Sequence, residues 1–184
     1  LIVVFCISLI SGCEKTEELY NEDSPELKSA KTHTVTVPFK LDFFTVEAED
    51  GNGSPCEGSG EGITEKWVSA HQIGEGTGTH LGKFSVDAAF CFYSGLDEFF
   101  GKYINALFVF TAANGDELYG FIDEGLVIFF SEPDENGNVA VYNDLLKITG
   151  GTGQFEGAEG EGNVISNLPL PGTQWQHSIN STIT

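Results

Sequence analysis

The 184-residue chain is long enough for one domain with a sizeable buried core. It carries 28 acidic side chains against 8 basic ones, the latter all lysine, for a formal charge of −20. Such a surface repels phosphate backbones and anionic bilayers, which excludes nucleic acid and direct electrostatic docking on a membrane.

The first ten residues, LIVVFCISLI, are apolar and uncharged, and too short a run to span a bilayer. They read as the hydrophobic region of a secretory signal. The basic segment and initiator Met that precede such a region are missing, so the sequence is expected to start within the signal. The run ends in Ser11-Gly12-Cys13, which resembles the lipobox of bacterial lipoproteins, where the cysteine is lipidated and becomes the new N-terminus. Glu14-Lys15-Thr16-Glu17-Glu18 follows at once, as at a processing boundary rather than in a core strand. Residues 1–12 are therefore expected to be a signal-peptide remnant, 13–32 a lipidated flexible tether interrupted by Pro25, and 33–184 the folded domain. This implies an outer-membrane lipoprotein of the cell envelope, periplasmic or surface-exposed, touching the membrane through its lipid alone. Glu14, Glu17 and Glu18 are similar to the acidic export signal of some surface-displayed lipoproteins.

Cys6 leaves with the signal and Cys13 takes the lipid. Cys56 and Cys91 remain in an oxidising compartment, where such a pair tends to form a disulfide; two free thiols are the alternative.

Residues 34–46 alternate, with Val35, Val37, Phe39, Leu41 and Phe43 on one face. Pro38 on the other face marks an edge or a bulge. A glycine-rich acidic loop covers 47–62, a second strand 67–73 and a turn 74–78. Residues 81–92 form the clearest strand, with Phe84, Val86, Ala88, Phe90 and Phe92 pointing one way. Residues 94–101 break the pattern as a short helical turn. Strands 104–112 and 117–123 then flank Asn114-Gly115, the strongest local hairpin signal. A two-residue turn there pairs Phe110 with Tyr119 and Phe108 with Phe121, and leaves the second face of the hairpin apolar too. Further strands are expected at 126–131, 139–149, 164–166 and 175–184.

The glycine-rich stretch 148–162, ITGGTGQFEGAEGEG, reads as a hairpin corner with Phe155 plugging the fold. Roughly eight or more strands and the lack of an amphipathic helix give an all-β fold. An antiparallel, eight-stranded closed barrel is expected, because closure removes exposed sheet edges. A β-sandwich is the alternative.

Three segments carry a resemblance: Gly78-Thr79-His80-Leu81-Gly82-Lys83-Phe84, Thr111-Ala112-Ala113-Asn114-Gly115-Asp116-Glu117-Leu118, and Ile148-Thr149-Gly150-Gly151-Thr152-Gly153-Gln154-Phe155-Glu156-Gly157-Ala158. Together they resemble a group of bacterial secreted proteins and lipoproteins of unassigned activity. The last is similar to the Gly-Thr-Gly-x-Phe corner of the allene oxide cyclase and dirigent type of barrel. The resemblance implies an eight-stranded barrel with an apolar interior, often in homo-oligomers. It carries over no catalytic residue, because no motif for one is matched.

Gly150-Gly151-Thr152-Gly153 lacks the Lys-Ser or Lys-Thr and the helix of a phosphate loop. His33, His71, His80 and His177 are scattered, and no Gly-x-Ser-x-Gly elbow is present. Asp50, Asn52, Ser54 and Glu61 fit a calcium-loop spacing, but Pro55 stands where such loops need glycine; Asp134 to Asn138 fits less well. Both read as solvated loops. No metal, cofactor or catalytic residue is expected.

Two classes of function remain. The first is a lipid-anchored binding protein that holds a small hydrophobic ligand. The second is a cyclase or isomerase type of enzyme using the barrel cavity. A barrel filled by its own side chains, acting through its surface, is a third reading. The chain reads as a binding protein rather than an enzyme. Phe84, Phe108 and Phe110 are the candidate lining, with His80 and Tyr119 at the mouth, and Gly82 and Gly120 leaving room.

Overall fold

Alternation builds the sheet. Along β3 (Gly82–Tyr93), Phe84, Val86 and Ala88 are buried while Lys83, Ser85 and Asp87 are exposed, as the two-residue period of a strand requires. The structure, a computed structural model, describes residues 35–56, 67–93 and 99–184. The expectations for residues 1–32, Cys13 included, and for His33, Glu61 and the 94–98 part of the irregular stretch lie outside the described residues.

The other strands are β1 (Val37–Glu47), β2 (Trp67–Gly78), β4 (Phe100–Ala112), β5 (Glu117–Phe129), β6 (Asn138–Gly151), β7 (Gly160–Pro169) and β8 (Trp175–Ile183). Each pairs antiparallel with the next, and β1 pairs with β8 to close the barrel. The closed barrel is thus the fold, and the sandwich is not. Pro38 sits where β1 is bonded to β8 alone, since pairing with β2 begins at Leu41. Its missing N–H therefore leaves no ladder bond unmade.

Four local expectations change, the first being that the strands expected at 117–123 and 126–131 are one, β5. Residues 74–78 are not a turn but the end of β2. Gly74, Gly76 and Gly78 pair with Thr45, Phe43 and Leu41 of β1. A β-carbon on any of the three would run into β1, so these glycines serve close approach of two strands rather than a reversal. The strand expected from residue 104 already begins at Phe100, in place of a helical turn there. The Asn114-Gly115 hairpin is closed one residue further out than a two-residue turn allows. Ala112 N–H donates to Asp116 O and Gly115 N–H to Ala112 O, both at 2.9 Å, and Gly115 has φ 89°. This is a three-residue loop ending in a left-handed glycine. It shifts the register by one, so Phe110 meets Leu118 and Phe108 meets Gly120. Tyr119 and Phe121 pair instead with Val109 and Leu107 on the outer face, where Leu107 is 57% exposed.

The two ends of the barrel differ. At the end holding the β2–β3, β4–β5 and β6–β7 turns, Phe43, Phe84 and Phe110 meet edge to face with ring centroids 5.5–6.0 Å apart. Phe39, Leu41, Leu118 and Ile148 fill the space around them. The corner after β6 carries the 3-10 turn Gly153–Phe155, which lays the buried Phe155 against this core as a plug. At the opposite end Phe90, Phe92, Phe129, Tyr142, Leu168 and Trp175 are only partly buried.

Candidate functional site

That opposite end holds a cavity of about 530 Å³. Small residues open it: Ala70 on β2 and Ala106 on β4 face inward where the other half of the barrel carries phenylalanines. Phe108 forms part of the floor. Around the wall stand Phe90, Tyr103, Tyr142 and Trp175, whose successive ring centroids lie 5.6, 5.6 and 5.3 Å apart. Phe92 and Phe129 continue the lining. The rings stay on the wall because two positions behind them are glycine. A β-carbon at Gly101 would overlap the Phe92 ring, and one at Gly125 the Tyr103 ring.

Backbone irregularity aims Tyr103 inward. Asn105 takes φ 54°, so Ala106 and Tyr103, three residues apart, both face the interior. β5 and β6 lose their pairing between Phe121 and Ile128. Asp144 sits at this break; Tyr103 Oη donates to its Oδ2 at 2.6 Å, and the Leu126 N–H donates to the carboxylate as well. Burial raises the Asp144 pKa above the usual carboxylate range, with those two bonds working against the rise. Burial likewise pushes the Tyr103 and Tyr142 phenols upward.

Below the wall lies a buried polar chain. Thr45 Oγ1 donates to Gln72 Oε1 at 2.7 Å, which leaves it to accept from His177 Nε2 at 2.9 Å. His177 Nδ1 is then the acceptor for Ser166 Oγ at 2.7 Å, with Tyr142 Oη 3.1 Å away. Phe43 stacks on the imidazole at 4.5 Å. His177 is 4% exposed, and desolvation pushes its pKa down to about 3, so it is neutral. Gln72 and Tyr142, at the two ends of this chain, both line the cavity. The barrel can therefore enclose an apolar molecule and offer it two hydrogen-bonding groups at one end.

No family model, curated protein or solved structure matches the chain.

The sequence-derived site residues scatter across this picture. Phe108 lines the cavity. Phe84 and Phe110 belong to the packed half, Phe110 with no exposure at all. His80 is exposed, has φ 66°, and occupies the β2–β3 turn at the plugged end, where Gln154 Nε2 donates to its carbonyl at 3.1 Å. Tyr119 faces outward and donates to Glu117 Oε2 at 2.8 Å. Neither His80 nor Tyr119 is at the cavity mouth. Gly82 lies in the β2–β3 turn region at the plugged end, and Gly120 packs against Leu146 and Phe110; neither opens the cavity. Tyr103, Tyr142, Trp175 and Gln72, which do line it, went unrecognised, as did the buried His177 bonded to Tyr142 beneath it. A signal existed for three of them: Trp175-x-His177-x-Ile179 and Tyr142-x-Asp144-x-Leu146 each put polar or aromatic side chains in step with buried aliphatics.

Elsewhere, Cys56 and Cys91 stand at disulfide distance with their Cα atoms 6.0 Å apart, joining the loop after β1 to β3. The two calcium-like loops turn their donors inward. Asn52 Nδ2 donates to Ala48 O and Asp50 O, and Asp134 accepts from Asn136 N, Asn138 N and Asn138 Nδ2. Asp50 also meets His71 Nδ1 at 3.2 Å, while Asp87 meets His71 Nε2 at 3.1 Å. The Asp87 bond, with Asp50 adding to it, raises the His71 pKa. A second pocket of about 650 Å³ is lined by residues of β1, β2, β3, β7 and β8, with Asp42, Glu75, Lys83 and Gln176 among its polar groups and the buried Phe43, Phe84 and His177 at its base.

Proposed function

We propose that this protein is a lipid-anchored barrel of the bacterial envelope that binds a small hydrophobic molecule at the open end of the barrel. The observation that carries the reading is the contrast between the two halves of the interior. One half is packed with phenylalanine, and the other keeps about 530 Å³ free behind a wall of aromatic rings. Such a volume suits a ligand of drug size.

Catalysis of the cyclase or isomerase type is the second reading, favoured by the buried His177 and by Tyr103 and Asp144. Binding accounts better for the groups present. Both His177 nitrogens are occupied by Thr45 and Ser166, and an imidazole with a pKa near 3 is a poor base at neutral pH. The test is a fluorescence titration of the full chain with the neutral probe N-phenyl-1-naphthylamine. Saturable one-to-one binding is expected; enhancement that never saturates contradicts the reading.

A further inference from the structure

The cavity wall has a charge character as well as a shape. Four rings, Phe90, Tyr103, Tyr142 and Trp175, form a continuous belt at centroid spacings of 5.3–5.6 Å. The faces of such rings are negative, and a desolvated cation is attracted to them. Among the described residues lining the cavity there is no lysine, while Glu47 stands at its rim. The chain has no arginine. Lys102, next to Tyr103 in sequence, points to the outside and is held by Glu124 at 2.8 Å. Behind the belt, Asp144 Oδ2 accepts a hydrogen bond from Tyr103 Oη at 2.6 Å. That bond enriches the Tyr103 ring in electron density, and a cation seated on the ring favours the ionised form of Asp144. His177 is neutral beneath the floor and sets no positive charge against a guest.

An anion meets the reverse conditions. It would be buried without a cationic partner, at a prohibitive desolvation cost. The net charge of −20 adds long-range repulsion and, for a cation, long-range attraction.

We infer that the cavity selects a small hydrophobic cation, an aryl or alkyl ammonium with its charged head against the Phe90–Tyr103–Tyr142–Trp175 belt, over neutral and anionic molecules of the same shape. The inference rests on the reading of this cavity as a ligand site and names the chemical class of the ligand.

Three ligands with one shape and different charge test it: benzyltrimethylammonium, neopentylbenzene and phenylmethanesulfonate. Each is titrated as a competitor of N-phenyl-1-naphthylamine on the full chain. The cation is expected to displace the probe on the order of tenfold better than neopentylbenzene, and the sulfonate not at all. Glu47→Gln, a change at the exposed rim, is expected to reduce the preference for the cation several-fold, and Trp175→Leu to remove most of it. If neopentylbenzene or the sulfonate competes as well as the cation, the charge selectivity is overturned and the cavity remains a ligand site. If the probe itself does not bind saturably, the ligand site falls and the inference with it.

Discussion

The phenol ring of Tyr103 lies over Gly125 on the neighbouring strand, so close that a β-carbon at residue 125 would overlap it. The glycine is what lets a large ring lie against the wall while its hydroxyl reaches Asp144. Gly125→Ala therefore forces the ring into the cavity and breaks the bond to Asp144. The expected cost is about 1–3 kcal/mol, as for other overpacked cores, together with weaker probe binding. Urea denaturation and the probe titration measure the two effects. A variant unchanged in both contradicts this account of the wall.

His177 makes stability depend on acid. Its pKa is depressed from 6.5 to about 3 on folding because its site is dry. A depressed folded pKa gives stability that is complete above the unfolded value and is lost as pH falls toward the folded one. Between about pH 6.5 and pH 3 the unfolded chain binds one more proton at this residue, a loss of about 1.4 kcal/mol per pH unit. Asp144 acts in the opposite sense over the pH range just above its ordinary value, because burial raises its pKa. The comparison is therefore wild type against His177→Phe. The variant costs about 1–3 kcal/mol at pH 7 by stranding hydroxyls at Thr45 and Ser166, and its stability falls less steeply with acid. Parallel pH profiles for the two proteins contradict the assignment.

The barrel itself was legible in the sequence, and the site was not. Strict alternation at Phe84, Val86, Ala88 and Phe90, and a glycine corner carrying Phe155, follow from backbone period and turn chemistry. Registers resist the same treatment. A third loop residue at Asn114-Gly115 turned Tyr119 and Phe121 from the interior to the surface, and three glycines in step on β2 imitated a turn. Tyr103 enters the barrel only because Asn105 adopts a left-handed conformation that shifts the alternation by one. Since the cavity depends on that shift and on glycines placed on neighbouring strands, no single stretch of sequence displays it.

Cys56 and Cys91, 35 positions apart, stand at disulfide distance. Closing a loop of that length stabilises the folded chain by about 3–4 kcal/mol in the chain-entropy model. Reduction, or Cys56→Ser with Cys91→Ser, is expected to lower the denaturation midpoint accordingly. Thiol titration of protein purified without reductant provides the chemical check: two free thiols from these residues contradict the pairing.

The proposed anchoring at Cys13 can be tested apart from folding. Cys13→Ala is expected to move the protein from the membrane fraction to the soluble fraction of the envelope, with unchanged stability of the barrel. Fractionation followed by blotting measures this. Retention of the variant in the membrane contradicts the lipobox reading.

Ala106 and Leu107 are neighbours on β4 that face opposite ways, the first buried beneath the cavity and the second exposed outside the barrel. Comparing N-phenyl-1-naphthylamine affinity in Ala106→Phe and Leu107→Phe tests the central claim most directly. If a hydrophobic molecule occupies the open half of the barrel, the ring added at 106 takes its place. Affinity then falls more than about tenfold, the loss of one or two buried apolar contacts, while Leu107→Phe binds like wild type. Equal affinity in the two folded variants would show that the probe binds elsewhere and would contradict the cavity as the site.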